Sequence, residues 1–251
     1  MKQLHVFPHS LFPTKWLLWG RGFATVKTGG DASGSNISGS SSDGWVVGLT
    51  CLYLMNVNDV LALESVIATA ELQRRGTRVA DVKREDEANT ALMKELTKDP
   101  QAFFQKLVEA VLALSRADSA GISLLDEEKG KFIWPAVAGR LSCYLGAGTP
   151  RDFGPCGTVL DRNAAVLFQH PERHFLYLTP ITPSLEEVLL IPFHMEEKPV
   201  GTIWAVIHEV DKKFDAEDQR LLESMSAFAA SAYRLLVMAE LLTPLIRTVA
   251  R

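Results

Sequence analysis

The stretch Glu187 to Glu209, EVLLIPFHMEEKPVGTIWAVIHE, narrows the possible folds more than any other part of the chain. Two apolar runs, Val188 to Met195 and Val200 to Ile207, flank the polar tetrapeptide Glu196-Glu197-Lys198-Pro199. Both runs are rich in β-branched and aromatic residues, which fit a pleated, packed surface, so the segment reads as a buried antiparallel hairpin. Side chains alternate along a strand. That sends Val200, Thr202, Trp204, Val206 and His208 to one face and Gly201, Ile203, Ala205 and Ile207 to the other. Both faces are largely apolar, so each needs a cover: a helix on one side, and a ligand or loops on the other.

The helix is signalled directly downstream. Phe214-Asp215-Ala216-Glu217-Asp218 offers an N-cap at Asp215 and places acids at the positive end of the helix. Leu221, Met225, Phe228, Ala232 and Leu235 then recur at steps of three and four, one apolar stripe able to lie on a sheet. Upstream, Asp99-Pro100 opens another helix with a capping side chain followed by Pro at the first helical position, and Phe103, Leu107, Val111 and Leu114 line one face. Ser119 to Leu125 reads as a first strand and Phe132 to Ala138 as a second. Pro135 inside the second strand demotes it towards an edge or forces a bulge. Arg140 to Leu160 has no steady period and is punctuated by Gly and Pro, so it reads as loop with a short turn of helix. Ala165 to Gln169 is a third strand, and His170 to Ser184 is a loop or short helix leading into the hairpin.

The order strand, Pro, short hairpin, Gly-hydrophobic strand and Phe-x-x-x-Asp opening a long helix, here Pro192, Gly201, Phe214 and Asp218, resembles the ending of GAF domains in bacterial sensory proteins. The segment Gly148-Thr149-Pro150-Arg151-Asp152-Phe153-Gly154-Pro155-Cys156-Gly157-Thr158-Val159-Leu160-Asp161 is similar to the GAF subgroup found in many bacterial sensor histidine kinases. The resemblance spans roughly residues 100–240, the size of one domain. It implies an α/β (α+β) GAF/PAS-like fold, an antiparallel sheet of about six strands flanked by helices. It also implies that the segments 140–160 and 170–184 wall a ligand pocket.

Around that domain, 99–242, the expected organisation is a low-complexity leader over 1–54, a helical connector over 55–98 and a tail over 243–251. Gly29 to Gly44 is Gly/Ser-rich and too poor in apolar residues to order itself, so the leader reads as disordered. The leader resembles nothing in the family, and Met55 offers an alternative start. Val60, Leu63, Ile67 and Ala70 predict a helix from Val57 to Arg75, with Gly76 as its stop. Pro244 is expected to kink or end the last helix.

A net charge of −4 and the lack of a long basic run give no reason to expect nucleic acid. Arg74, Arg75 and Arg78 read as the coat of a solvated helix end. Three scattered cysteines, Cys51, Cys143 and Cys156, with no CxxC, point to a reducing, cytoplasmic setting without structural disulfides. The apolar run Trp45 to Met55 is about half of the roughly 20 residues a membrane span needs, so no membrane is expected.

The residues expected to contact a ligand are Phe153, Cys156, His174, Phe175 and Tyr177. A relative of the fold that reduces free methionine sulfoxide has a similar Cys-Gly-Thr followed by a second cysteine before the hairpin Pro; here the equivalent region, Thr179 to Ser184, has none, and the resolving thiol that chemistry requires could come from Cys143 only if the loop brought it within the roughly 4.4–6.8 Å Cα separation of a disulfide. Photoreceptor relatives attach a bilin at a Cys usually followed by His, and here Gly157 follows Cys156. His170 and His174 lack a third ligand at fixed spacing, so neither bilin, haem nor a metal is expected. GxxxxGK[ST], HExxH and GxSxG are all absent, so no catalytic residue is assigned. The expected function is a sensory module that binds a small molecule or partner. It would act through a homodimer formed by helices 57–75 and 215–242, and through a separate histidine kinase or response regulator, or be a remnant of a larger sensor kinase. The alternatives are a Cys156-dependent reductase-like enzyme and a ligandless scaffold whose pocket is filled by Phe153, Phe168, Phe175 and Tyr177.

Overall fold

The computed structural model describes residues 61–99 and 102–249. The expected leader 1–54, Cys51, the start of the predicted 57–75 helix and Pro100 lie outside the described residues.

Two helices, α2 (Val82–Lys98) and α3 (Phe103–Leu114), precede β1 (Ser119–Asp126) and β2 (Lys131–Gly139). After a loop come α4 (Pro155–Arg162), β3 (Val166–Gln169), the hairpin β4 (Glu187–Met195) and β5 (Lys198–Ile207), and then α5 (Ala216–Met238) and α6 (Leu242–Val249). A single turn, α1 (Thr69–Leu72), lies ahead of all of these. The strands form one antiparallel sheet in the order β2-β1-β5-β4-β3.

The hairpin lies where its pattern put it, with β5 at the centre of the sheet. Leu189, Ile191, Ile203, Ala205 and Ile207 face α3 and α5, while Val188, Leu190, Trp204 and Val206 face the other way. On the helix side α5 buries Leu221, Leu222, Met225, Ala229, Ala232 and Leu236, so the expected stripe holds as far as Ala232 but ends on Leu236 rather than Leu235, which is exposed. Each large apolar side chain removed from water there is worth roughly 1.5–3 kcal/mol. Asp215 caps α5 and forms a reciprocal box with Asp218: the Asp215 carboxylate accepts from the Asp218 N–H and the Asp218 carboxylate from the Asp215 N–H.

Among the described residues the sheet has five strands, close to the expected six or so. The two flanking segments that approach it, 61–80 and the loop after β2, contribute isolated bridges, Ile67 with Phe168 and Lys131 with Pro150. Pro135 has both predicted effects. β2 is an edge strand, and its register against β1 shifts between Ile122 and Leu124, at the level of Trp134 and Pro135.

Three sequence readings are corrected. The described part of the predicted 57–75 helix is a 3-10 turn, Leu63–Val66, then α1, with extended backbone between them, because the apolar residues contact two different cores rather than one face of a helix. Arg75 and Arg78 do not coat a solvated end; they are largely buried in ion pairs with Glu187, Asp215 and Asp218. Pro244 does not end the last helix. The break comes earlier, at Glu240 with φ 58°, and Pro244 falls in the first turn of α6, where its missing N–H has no intrahelical acceptor to lose.

Candidate functional site

On the face of the sheet away from α3 and α5, the bulge at Trp134 turns that indole inward against Trp204, with ring centroids 5.3 Å apart. Trp204 lies over β1 because position 121 is glycine: a Cβ there would fall 2.1 Å from the indole ring. α4 crosses above, with Cys156 in its first turn, and segment 170–185 roofs the space with two short 3-10 turns, Pro171–Arg173 and Leu176–Leu178. The chamber has a volume of about 50 Å³ and is walled by Trp134, Cys156, Leu178, Leu185, Leu190 and Trp204 among others, with no charged side chain in the lining.

Polar groups are set into this apolar wall. The Cys156 thiol donates to Ser123 Oγ at 3.3 Å, and Trp204 Nε1 donates to the same oxygen at 3.0 Å. Trp134 Nε1 is buried with no hydrogen-bond partner among the described residues, whereas the Thr149 and Thr202 hydroxyls lie beside the Cys156 thiol and Thr149 lies beside the Tyr177 hydroxyl. Cys156 sits where a helix N-terminus favours a thiolate, yet burial outweighs that and pushes the thiol pKa up. Burial likewise pushes the Tyr177 hydroxyl up.

Two loops that wall the chamber meet at His208. Its Nδ1 lies 2.6 Å from the Ser184 carbonyl, and its Nε2 lies 2.9 Å from Ser119 Oγ, which accepts from the Leu141 N–H. A carbonyl can only accept, so Nδ1 carries the proton and Nε2 receives the Ser119 hydroxyl. Burial, then the Arg140 charge, depress the His208 pKa against the opposing pull of the Ser184 carbonyl, Asp118 and Glu186, so the ring is neutral at pH 7.

The five residues expected to contact a ligand fall in two places. Cys156 lines the chamber, whereas Tyr177, not itself a lining residue, places its hydroxyl beside Gly154 at the start of α4. Phe153 and His174 face a separate groove of about 230 Å³, lined also by Leu63, Thr158, Arg162 and Phe175. Phe175 joins the two, buried against Phe168 at 6.0 Å and against Phe153 at 5.2 Å. Phe153 itself is 47% exposed, so of the four aromatics expected to fill the pocket it sits outside. His174 uses Nδ1 to donate to the Leu61 carbonyl at 2.7 Å. Arg151 pairs with Asp161 rather than with its neighbour Asp152.

Trp134, Thr149 and Trp204 were not anticipated. The signal for Trp204 was its place on the ligand-facing side of β5; that for Trp134 was its position directly before the strand-breaking Pro135. Among the described residues no group of three or more His, Cys, Asp or Glu could hold a metal ion, and no helix is long and apolar enough to cross a membrane.

Comparison with solved structures gives the same architecture. The GAF domain of an Acinetobacter phosphoenolpyruvate-protein phosphotransferase superposes with TM-score 0.54 at 18% identity, covering 64% of this chain and 97% of that one. The phycoerythrobilin-bound GAF domain of a cyanobacterial phytochrome gives 0.54 at 12% identity, covering 63% and 99%. Free methionine-R-sulfoxide reductase from Neisseria meningitidis, in complex with its substrate, gives 0.50 at 13% identity, covering 65% and 97%. At these identities the likeness is one of fold. No curated protein matches the sequence significantly. The GAF domain model matches residues 97–233, more than half of the chain, and this chain therefore belongs to the GAF-domain family.

Proposed function

We propose that this chain is a regulatory GAF module of the type that serves bacterial sensor histidine kinases, and that its chamber receives a small, uncharged, mostly apolar molecule carrying a hydrogen-bond acceptor. The observation behind this is Trp134 Nε1, a donor in the chamber wall that is buried with no partner among the described residues. A buried donor without a partner costs about 1–3 kcal/mol. An indole N–H can only donate, so the guest must bring an acceptor. A charged guest would lose its hydration with no counter-charge in the wall. The roof has no strand in the sheet, and its outward movement makes room for a guest larger than the roughly two waters that fit 50 Å³. That a GAF domain of similar fold is phycoerythrobilin-bound in a cyanobacterial phytochrome supports a small-molecule role. Output would pass through a homodimer built on the outer side of α5, where Leu235 and Met238 are exposed, to a separate kinase or response regulator in the cytoplasm.

The test is a native mass spectrum of the full chain as purified, with an absorption scan of the same sample. A bound mass of neutral composition that is lost in Trp134→Phe supports the reading. An apo mass, with no shift in melting temperature across a panel of small ketones, amides and phenols, overturns it in favour of a ligandless scaffold.

A thiol-dependent enzyme is the second reading, because Cys156 stands in a chamber on a fold shared with a methionine-R-sulfoxide reductase. It is the weaker one: the thiol is protonated by burial, and Cys143 faces solvent on the 3-10 turn Ser142–Tyr144. Turnover of free methionine-R-sulfoxide with a thiol reductant, abolished in Cys156→Ser, would establish it.

A further inference from the structure

Residues 61–78 run around the β3 edge of the sheet and touch both of its faces. Val66 is buried in the chamber-side core and Leu72 in the helix-side core. Between them the segment bonds to β3: the Ala68 N–H donates to the Leu167 carbonyl at 2.8 Å, and the Leu167 N–H donates to Thr69 Oγ1 at 3.0 Å.

Its first residues hold the chamber roof. The Leu61 N–H donates to the Arg173 carbonyl at 3.2 Å, the Leu61 carbonyl accepts from His174, and Glu64 pairs with Arg162 at the end of α4. Its last residues hold the start of α5. Arg75 forks onto Glu187 at 2.9 and 2.8 Å and donates to the Phe214 carbonyl at 2.8 Å. Arg78 bridges the two members of the α5 capping box, reaching Asp215 and Asp218 at 2.6 Å each. Planar guanidinium forks on carboxylates with little or no exposure fix position as well as charge.

We propose that residues 61–78 are a tether that couples the chamber roof to the first turn of α5, so that displacement of one loosens the other. The inference rests on the sensory reading for its purpose, and it supplies the missing route. The roof and α5 lie on opposite faces of the sheet, and a guest entering beneath segment 170–178 would push on the same segment that clamps the helix carrying the output surface. Coupling of this kind is reciprocal, which makes it testable from both ends without a ligand.

The experiment is native-state hydrogen exchange on the full chain, comparing the wild type with Arg78→Lys, Arg78→Gln and His174→Ala. The lysine variant keeps the charge and removes the fork, so it reports even if the glutamine variant unfolds. Loosening the α5 clamp should speed exchange at the Phe175 and Leu178 amides by about fivefold or more, the lower range of measured site-to-site coupling, and His174→Ala should do the same at the Arg78 and Asp218 amides. Amides in the centre of β5 should keep their wild-type rates. Acceleration confined to the mutated end, or equal acceleration everywhere including β5, overturns the tether. Reciprocal acceleration in a protein that binds no guest would leave the tether standing and remove the sensory reading. A bound guest with no reciprocal acceleration would do the opposite.

Discussion

Glu187 is the most demanding group in the molecule, and Arg75→Met is the perturbation that exposes it. The carboxylate has no solvent exposure and accepts from Arg75 twice, from Gln169 Nε2 at 3.0 Å and from the Phe214 N–H at 3.0 Å, with Lys213 Nζ at 3.4 Å. Removing one partner of a buried pair typically costs 3–5 kcal/mol because the other charge stays behind. Lys213 and two hydrogen bonds remain here, so the expected loss is about 2–4 kcal/mol, or roughly 4–16 °C in Tm for a domain of this size. Urea unfolding followed by far-ultraviolet circular dichroism measures it, and Arg75→Met with Glu187→Gln should recover at least half. The pH dependence carries the sharper test. Burial alone would push the Glu187 carboxyl up, but the Arg75, Gln169 and Phe214 hydrogen bonds outweigh it and hold the wild-type pKa low. A depressed carboxylate stabilises the fold above its unfolded value, about 4.3, and that contribution is lost as pH falls through the folded value. In Arg75→Met burial wins and the pKa rises above the unfolded value. The folded state then takes up the proton first, and the penalty of the variant relative to wild type shrinks from pH 7 to pH 5. A penalty below about 1 kcal/mol, the value of an ordinary surface pair, or one equal at both pH values, would refute the reasoning.

Other substitutions probe the chamber. Trp134→Phe removes an unpartnered buried N–H and should leave stability within about 1 kcal/mol of wild type, or raise it, while weakening any guest that bonds there; thermal melts with and without the guest separate the two effects. Gly157→Ala puts a Cβ 2.0 Å from the Arg151 carbonyl and should cost about 1–3 kcal/mol by forcing α4 off its loop, seen as a lower urea midpoint. Brief alkylation of the native protein should label Cys143 well ahead of Cys156, read by peptide mass; equal rates would mean the roof opens freely. The depressed pKa of His208 means the fold binds fewer protons there than the unfolded chain, so its contribution is present above about pH 6.5 and fades as pH falls. The fall in Tm from pH 7 to pH 5 should therefore be shallower in His208→Gln, and an unchanged slope would count against the buried neutral ring.

The fold was legible because its signals are local and mutually consistent. The alternation in β5, the 3.6-residue stripe of α5, the Asp215 cap and the disruptive Pro135 each follow from backbone geometry that a few neighbouring residues impose, and each agrees with the others about which face is covered. The break before α6 was misplaced because the left-handed residue is Glu240, an identity with no special preference for that region, whereas Pro244 advertises a disruption that its helical position removes.

The site and the tether were harder for a different reason: their meaning lies in pairs far apart in sequence. Cys156 and Tyr177 could be guessed from the loops that carry them, but the partner of Cys156 is Ser123, and Trp134 enters the chamber through a bulge whose direction only the paired strand decides. The arginines illustrate it best. In sequence, Arg75 and Arg78 stand beside Arg74, Gly76 and Thr77, and nothing local separates a solvated helix end from a clamp; Arg74 is in fact exposed. What decides the matter is that Glu187, Asp215 and Asp218 are all withdrawn from water, two of them by the cap that starts α5. Buried carboxylates need cationic partners, and the capping box consumes the backbone donors nearby without neutralising either charge. A guanidinium must therefore arrive from elsewhere. The chain supplies the close ones from residues that the 97–233 family match does not include, so a fragment beginning at 97 would leave Glu187 with Lys213 and the capping pair with only the 3.9 Å approach of Arg116, and should lose stability beyond that of Arg75→Met alone.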